Sequence, residues 1–138
     1  IAGVSSSVTA QFVGSGPSSG QSVQEIVLVF PTAKTAKTAF TNRSKSQAAG
    51  AKCGRVGFIP PGTSAAVTTV ALARVKVPRI GQGALGQSTS PAGATGSTTT
   101  ITFLRGVYVV VINTPPSATP LSTSDVVTIA KAADRHLR

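Results

Sequence analysis

Five side chains have the types that acid–base, nucleophilic or metal chemistry requires: the carboxylates Glu25, Asp125 and Asp134, the imidazole of His136 and the thiol of Cys53. Paired-carboxylate catalysis needs two acids held at a set separation across a reacting bond. Glu25 lies in a run of strand-forming residues, and Asp125 stands where a helix begins, a place where negative charge answers the helix dipole. A nucleophilic triad would have to recruit His136 as its base, at a helix tip that frays. Cys53 reads as a small, partly buried thiol without a base beside it in sequence, and as the single cysteine it forms no internal disulfide. One His, one Cys and three scattered acids supply no metal-ligand spacing. There is no GxSxG elbow and no GxxxxGK[ST] loop, and the glycines of GQGALG at 81–86 have no helix after them to receive a phosphate. The sequence therefore reads as that of a protein that is not an enzyme and uses no cofactor or metal.

Charge is the stronger signal. Thirteen Lys and Arg against three acids give a net charge of +10 on 138 residues, enough to spread a positive field over much of a small surface. The candidate anion-binding residues are Arg74, Lys76, Arg79 and Arg105, expected together at one end of a long hairpin, with Lys34 and Lys37 on the outer face of a helix. An anionic polymer, a lipid surface or a protein partner would each satisfy such a field. Nucleic acid would be held through its phosphates alone, because aromatic residues make up only 4% of the chain and are scattered rather than interleaved with the cations.

The elements that must position these residues follow from periodicity. At this length one core is expected, and with few aromatic rings it must be built from Val, Ala, Ile and Leu. Residues 1–22 read as a partly mobile N-terminal segment in which Val8, Ala10 and Phe12 alternate as one strand would, and residues 23–138 as a single α+β domain. VQEIVLVF at 23–30 is dense in β-branched residues and too short for a helix. Thr32 caps a helix over 32–49 that Gly50 ends. RVGFI at 55–59 is a short strand closed by the turn PPG. Residues 65–77 form a long strand, and residues 78–97, with five glycines and two prolines, a long loop near which ligand contact is expected. STTTITFLRGVYVVVI is a strand interrupted at Arg105-Gly106 by a bulge or tight hairpin, pairing with the 65–77 strand. Ser122 to Asp125 starts a second helix over 123–137 by a capping box with Asp in place of Glu. The fold class is α+β, an antiparallel sheet of about four to five strands with two helices packed on it. The longest apolar runs, Ile26–Phe30 and Val107–Ile112, fall far short of the roughly 20 residues a membrane span needs. The initial Ile1 and the absence of Met imply that an upstream segment has been removed.

The order VLVFPTAKTAKTAF, AKCGRV, TTTITFLRGVYVVVI and STSDVVTIAKAADRHL resembles the layout of small envelope lipoproteins of actinobacteria and of the extracellular sensor-like domains of their membrane-anchored kinases. The resemblance covers about residues 23–137. It implies an exported, tethered or secreted binding or sensor domain in the cell envelope, with no reaction to transfer. Where such proteins often carry a second Cys, this sequence has Thr102 and Leu104, so no cross-link to Cys53 is implied. A second reading of the same composition is a self-assembling structural protein, a viral coat or extracellular filament subunit, whose positive charge neutralises nucleic acid or another polyanion.

Overall fold

The runs of β-branched residues become strands, and the two Ala-containing periodic segments become helices. The computed structural model of the chain describes residues 2–16, 19–58, 68–91, 96–115 and 119–138. In chain order these form β1 (Ser6–Val13), β2 (Ser22–Val29), α1 (Ala33–Cys53), β3 (Arg55–Phe58), β4 (Thr68–Val75), β5 (Gly83–Pro91), β6 (Thr98–Arg105), β7 (Tyr108–Thr114) and α2 (Thr123–His136). The strands make one sheet in the order β1-β2-β7-β6-β5-β4-β3, every neighbouring pair antiparallel.

The two helices lie on opposite faces of the sheet. Ile101 and Phe103 of β6, with Val110 and Ile112 of β7, bury their side chains with Val126, Ala130 and Ala133 of α2. Leu104 and Val109, which point the other way along the same two strands, bury theirs with Phe30 and with Ala36 of α1. Each large apolar side chain removed from water in this way contributes about 1.5–3 kcal/mol. The β6–β7 hairpin is thus the centre of the molecule, and the strands become more exposed towards both edges.

Both helices start as their sequences require. Thr32 and Thr35 exchange reciprocal bonds, Thr32 Oγ1 accepting from Thr35 N at 3.1 Å and Thr35 Oγ1 from Thr32 N at 3.2 Å. Ser122 and Asp125 do the same at the start of α2, both bonds measuring 3.2 Å. The later part of the first helix differs from expectation. Helix α1 continues past Gly50 to Cys53 and is capped by Gly54, which adopts the left-handed conformation at φ 67°. Its length has a geometric reason: β2 and β3 are separated by five inter-strand steps of about 4.8 Å, and 21 helical residues at about 1.5 Å each cover that distance. Gly50 serves close approach instead, since a Cβ there would lie 3.0 Å from Leu72 Cδ1 of β4.

The sheet has seven strands among the described residues, more than the four to five expected. One of the additional strands lies in the stretch 78–97, where GALGQSTSP forms β5. This strand pairs with β4 on one side and β6 on the other, so the 68–75 and 98–105 strands are not neighbours as anticipated. Periodicity could not reveal β5, because its side chains are small or polar and its backbone bonds to two flanking strands hold it in place. Strand β1 pairs with β2 over eight residues, from Ser6 with Val29 to Val13 with Ser22. The PPG turn at 60–62, and residues 65–67 of the long strand, lie outside the described residues. No helix among the described residues is long and apolar enough to cross a membrane.

Two glycines hold the β6 end of this arrangement. Gly106 opens the two-residue turn from Arg105 to Tyr108 at φ 56°, and a Cβ there would meet nothing. Gly81 has φ 57° and lies so close to β6 that a Cβ would be 2.3 Å from Leu104 O. Gly81→Ala is therefore expected to cost about 2–4 kcal/mol, from backbone strain and overlap together, and Gly106→Ala only about 1 kcal/mol. Urea unfolding midpoints of the two variants measure the difference.

Candidate functional site

Arg105 ends β6, and Asp134 comes from the face of α2 that lies over it. The guanidinium grips the carboxylate with two bonds, Nε donating to Oδ1 at 2.6 Å and Nη2 to Oδ2 at 2.5 Å. The side chain of Asp134 is 7% exposed and that of Arg105 26%. Arg138 adds a longer contact, Nη2 to Asp134 Oδ2 at 3.6 Å. The hydrogen bond from Arg105 holds the Asp134 carboxyl below its ordinary range, against the opposing effect of burial, and neighbouring Arg charge lowers it further. The same bond raises the pKa of Arg105.

Around this pair opens a concavity of about 520 Å³ whose lining includes Arg79, Lys131, Arg135 and Arg138 besides Arg105 and Asp134. Its geometry has two sources. Lys131, Asp134 and Arg135 lie on one side of α2, and Arg138 follows just past its end, three residues after Arg135. On the sheet side, the segment before β5 is stitched to the β6–β7 turn: Gln82 N donates to Leu104 O at 2.8 Å, and Gly106 N donates to Gln82 Oε1 at 2.8 Å. Five cations thus surround a single carboxylate that is already committed to one of them.

The sequence-derived candidates do not form a single cluster. Arg79 and Arg105 meet in this concavity, whereas Arg74 and Lys76 line a separate one of about 230 Å³ with Ser44 and Gln47. Lys34 and Lys37 border a third, of about 360 Å³, beside Gln82 and Leu104. The two faces of the sheet are the reason: register through β5 places Arg74 on the face of Thr100 and Leu104, which α1 covers, whereas Arg105 lies on the opposite face under α2. The contribution of α2, namely Lys131, Arg135 and Arg138, escaped notice, although their spacing of four and three residues was the signal that could have found it.

The remaining reactive groups lie outside this concavity. Cys53 is exposed at the end of α1 rather than partly buried. His136 and Glu25 border an apolar groove with Phe12, Val23 and Ile129. No group of three metal-ligating side chains occurs among the described residues.

No protein-family model matches the chain, and no curated protein matches it. Its fold is similar to that of a solved structure. That structure is the extracellular domain of PknH from Mycobacterium tuberculosis, with a TM-score of 0.65 at 16% sequence identity. The likeness covers 97% of this chain and 66% of the PknH domain, so this chain spans slightly less than two thirds of it. It is a likeness of fold.

Because the folded pKa of Asp134 is depressed, the stabilisation from its pair with Arg105 is complete above the unfolded value of about 4 and is lost as pH falls through the lower folded value. Asp134→Asn is expected to lower stability at pH 7 by about 2 kcal/mol. It should also flatten the loss of stability below about pH 4. Urea unfolding of both proteins at a series of pH values measures both effects.

Proposed function

We propose that the chain is a non-catalytic, extracytoplasmic binding or sensor-type domain that holds an anionic partner, a wall polymer or lipid surface, in the concavity around Arg105. The observation that carries this reading is the charge balance there: Arg79, Lys131, Arg135 and Arg138 surround a carboxylate that Arg105 already neutralises. Desolvating such a cluster without a ligand is unfavourable, so the cations remain at the rim, where an incoming polyanion meets them. The likeness to an extracellular domain supports the compartment. The poverty of the chain in acids and histidine, three and one, supports a role without chemistry.

The triple variant Arg79→Glu, Lys131→Glu, Arg135→Glu leaves the Arg105–Asp134 pair intact and tests the reading. At about 1 kcal/mol per basic residue near an anionic surface, affinity should fall about 100-fold or more. The measurement is co-sedimentation with phosphatidylglycerol vesicles, and with poly(glycerol phosphate), at low and high salt. Undiminished binding by the variant would overturn the proposed site.

A second reading, self-assembly, is favoured by the edge strand β1. Its sequence SSVTAQFV carries no charge, and Val8, Phe12 and Val13 are 64%, 56% and 71% exposed. Uncharged, apolar edge strands are templates for pairing with another strand. Under this reading the 13.8 kDa chain forms larger species in light scattering, and Phe12→Lys returns it to a monomer. A monodisperse monomer at high concentration removes the reading, whereas co-purified nucleic acid would support a coat protein.

A further inference from the structure

Helix α1 presents to the sheet a stripe whose character changes along its length. Ala36 and Phe40 pack with Leu104 and Val109, as a buried stripe should. The next positions on the same face, at spacings of three and four residues, are Arg43 and Gln47. Arg43 is half-buried, and its Nε donates to Oγ1 of the fully buried Thr102 at 3.1 Å. Burial lowers its pKa. Both salt bridges among the described residues end on Asp134, so Arg43 has no carboxylate. The chain has only three acids. Asp125 and Asp134 belong to α2. Glu25 is in register with Ile112, whose side chain points into the core under α2. The layer between α1 and the sheet therefore contains no negative charge.

Gln47 adds a second, independent observation. Its Nε2 is buried and has no hydrogen-bond partner. A buried donor left unmade is costly and rare in folded proteins. The side chain borders the concavity of about 230 Å³ shared with Ser44 of α1 and Arg74 and Lys76 of β4 and its continuation. Hydroxyl, amide, guanidinium and ammonium are there together, and no acid is there to answer them.

We propose that this concavity is a binding site for a phosphate dianion, free or as a phosphate monoester, contacted by Gln47, Ser44, Arg74 and Lys76, one turn along α1 from Arg43. Phosphate fits better than a carboxylate for two reasons. Donors arrive from a helix on one side and a strand on the other, which suits a tetrahedral group more than a planar one. The two cations of the lining, Arg74 and Lys76, also match a double negative charge. The site shares no residue with the concavity around Arg105, so either can fail without the other.

The test is calorimetric titration of the full chain with inorganic phosphate, glycerol phosphate and acetate, repeated for two variants. Gln47→Leu removes the unpartnered donor and keeps the volume. It should fold at least as well as the parent, with an unchanged or higher urea midpoint, yet lose at least 10-fold in phosphate affinity. The double variant Arg74→Gln, Lys76→Gln should lose 100-fold or more. Phosphate should raise the melting temperature of the parent and leave that of the double variant unmoved. Tighter binding of glycerol phosphate assigns the group to an ester, and tighter binding of inorganic phosphate assigns it to the free ion; both support the site. Absence of saturable binding of either, equal binding of acetate, or unchanged affinity in the variants would overturn it.

Discussion

Ile101, Phe103, Val110 and Ile112 project from one face of the β6–β7 hairpin, and Leu104 and Val109 from the other. Such a hairpin is stable only when both faces are covered, and this requirement organises the fold. One helix cannot cover two faces, so the chain spends α1 on one and α2 on the other. The hairpin must then lie in the interior of the sheet, flanked by β2 and β5, while β1 and β3 occupy the edges. The placement of α2 over β6 brings Asp134 to Arg105, so the principal ion pair of the molecule is a consequence of core packing.

Scarcity of acids determines how the surface behaves. Asp125 is used as a helix cap, Asp134 is held by Arg105, and Glu25 sits on β2. Ten net positive charges are left without an internal counterpart. Most of these cations lie at the surface, where water screens them, and Arg43 is the half-buried exception. The surroundings of Arg105 and of Arg43 differ in this respect. Around Arg105 an internal carboxylate orders the arginines, whereas under α1 the charge of Arg43 is met only by the hydroxyl of Thr102.

Legibility in the sequence followed the strength of local signals. Strands β2, β6 and β7 were readable because continuous β-branched runs have no stable alternative at that length. Helix α2 was readable from its capping box and apolar stripe, and β1 from three alternating residues. Strand β5 was not, since GALGQSTSP has neither apolar alternation nor β-branched density, and its conformation is imposed by backbone bonds to β4 and β6. The end of α1 was misjudged at Gly50 for a related reason: the helix must reach the far edge of the sheet, and its glycine serves contact with Leu72.

The cationic candidates show the same division. That the protein is strongly basic, poor in acids, and without a catalytic or metal-binding spacing is a property of composition and order, and no folding alters it. The grouping of those cations depends on strand order. Pairing through β5 puts Arg74 on the face under α1 and Arg105 on the face under α2, and the packing of α2 adds Lys131 and Arg135, with Arg138 just past its end, to the latter. Composition determines how much charge must be answered, because charges are counted along the chain. Only the tertiary structure decides where it gathers, because proximity between residues distant in sequence is set by which strands pair and which faces the helices cover.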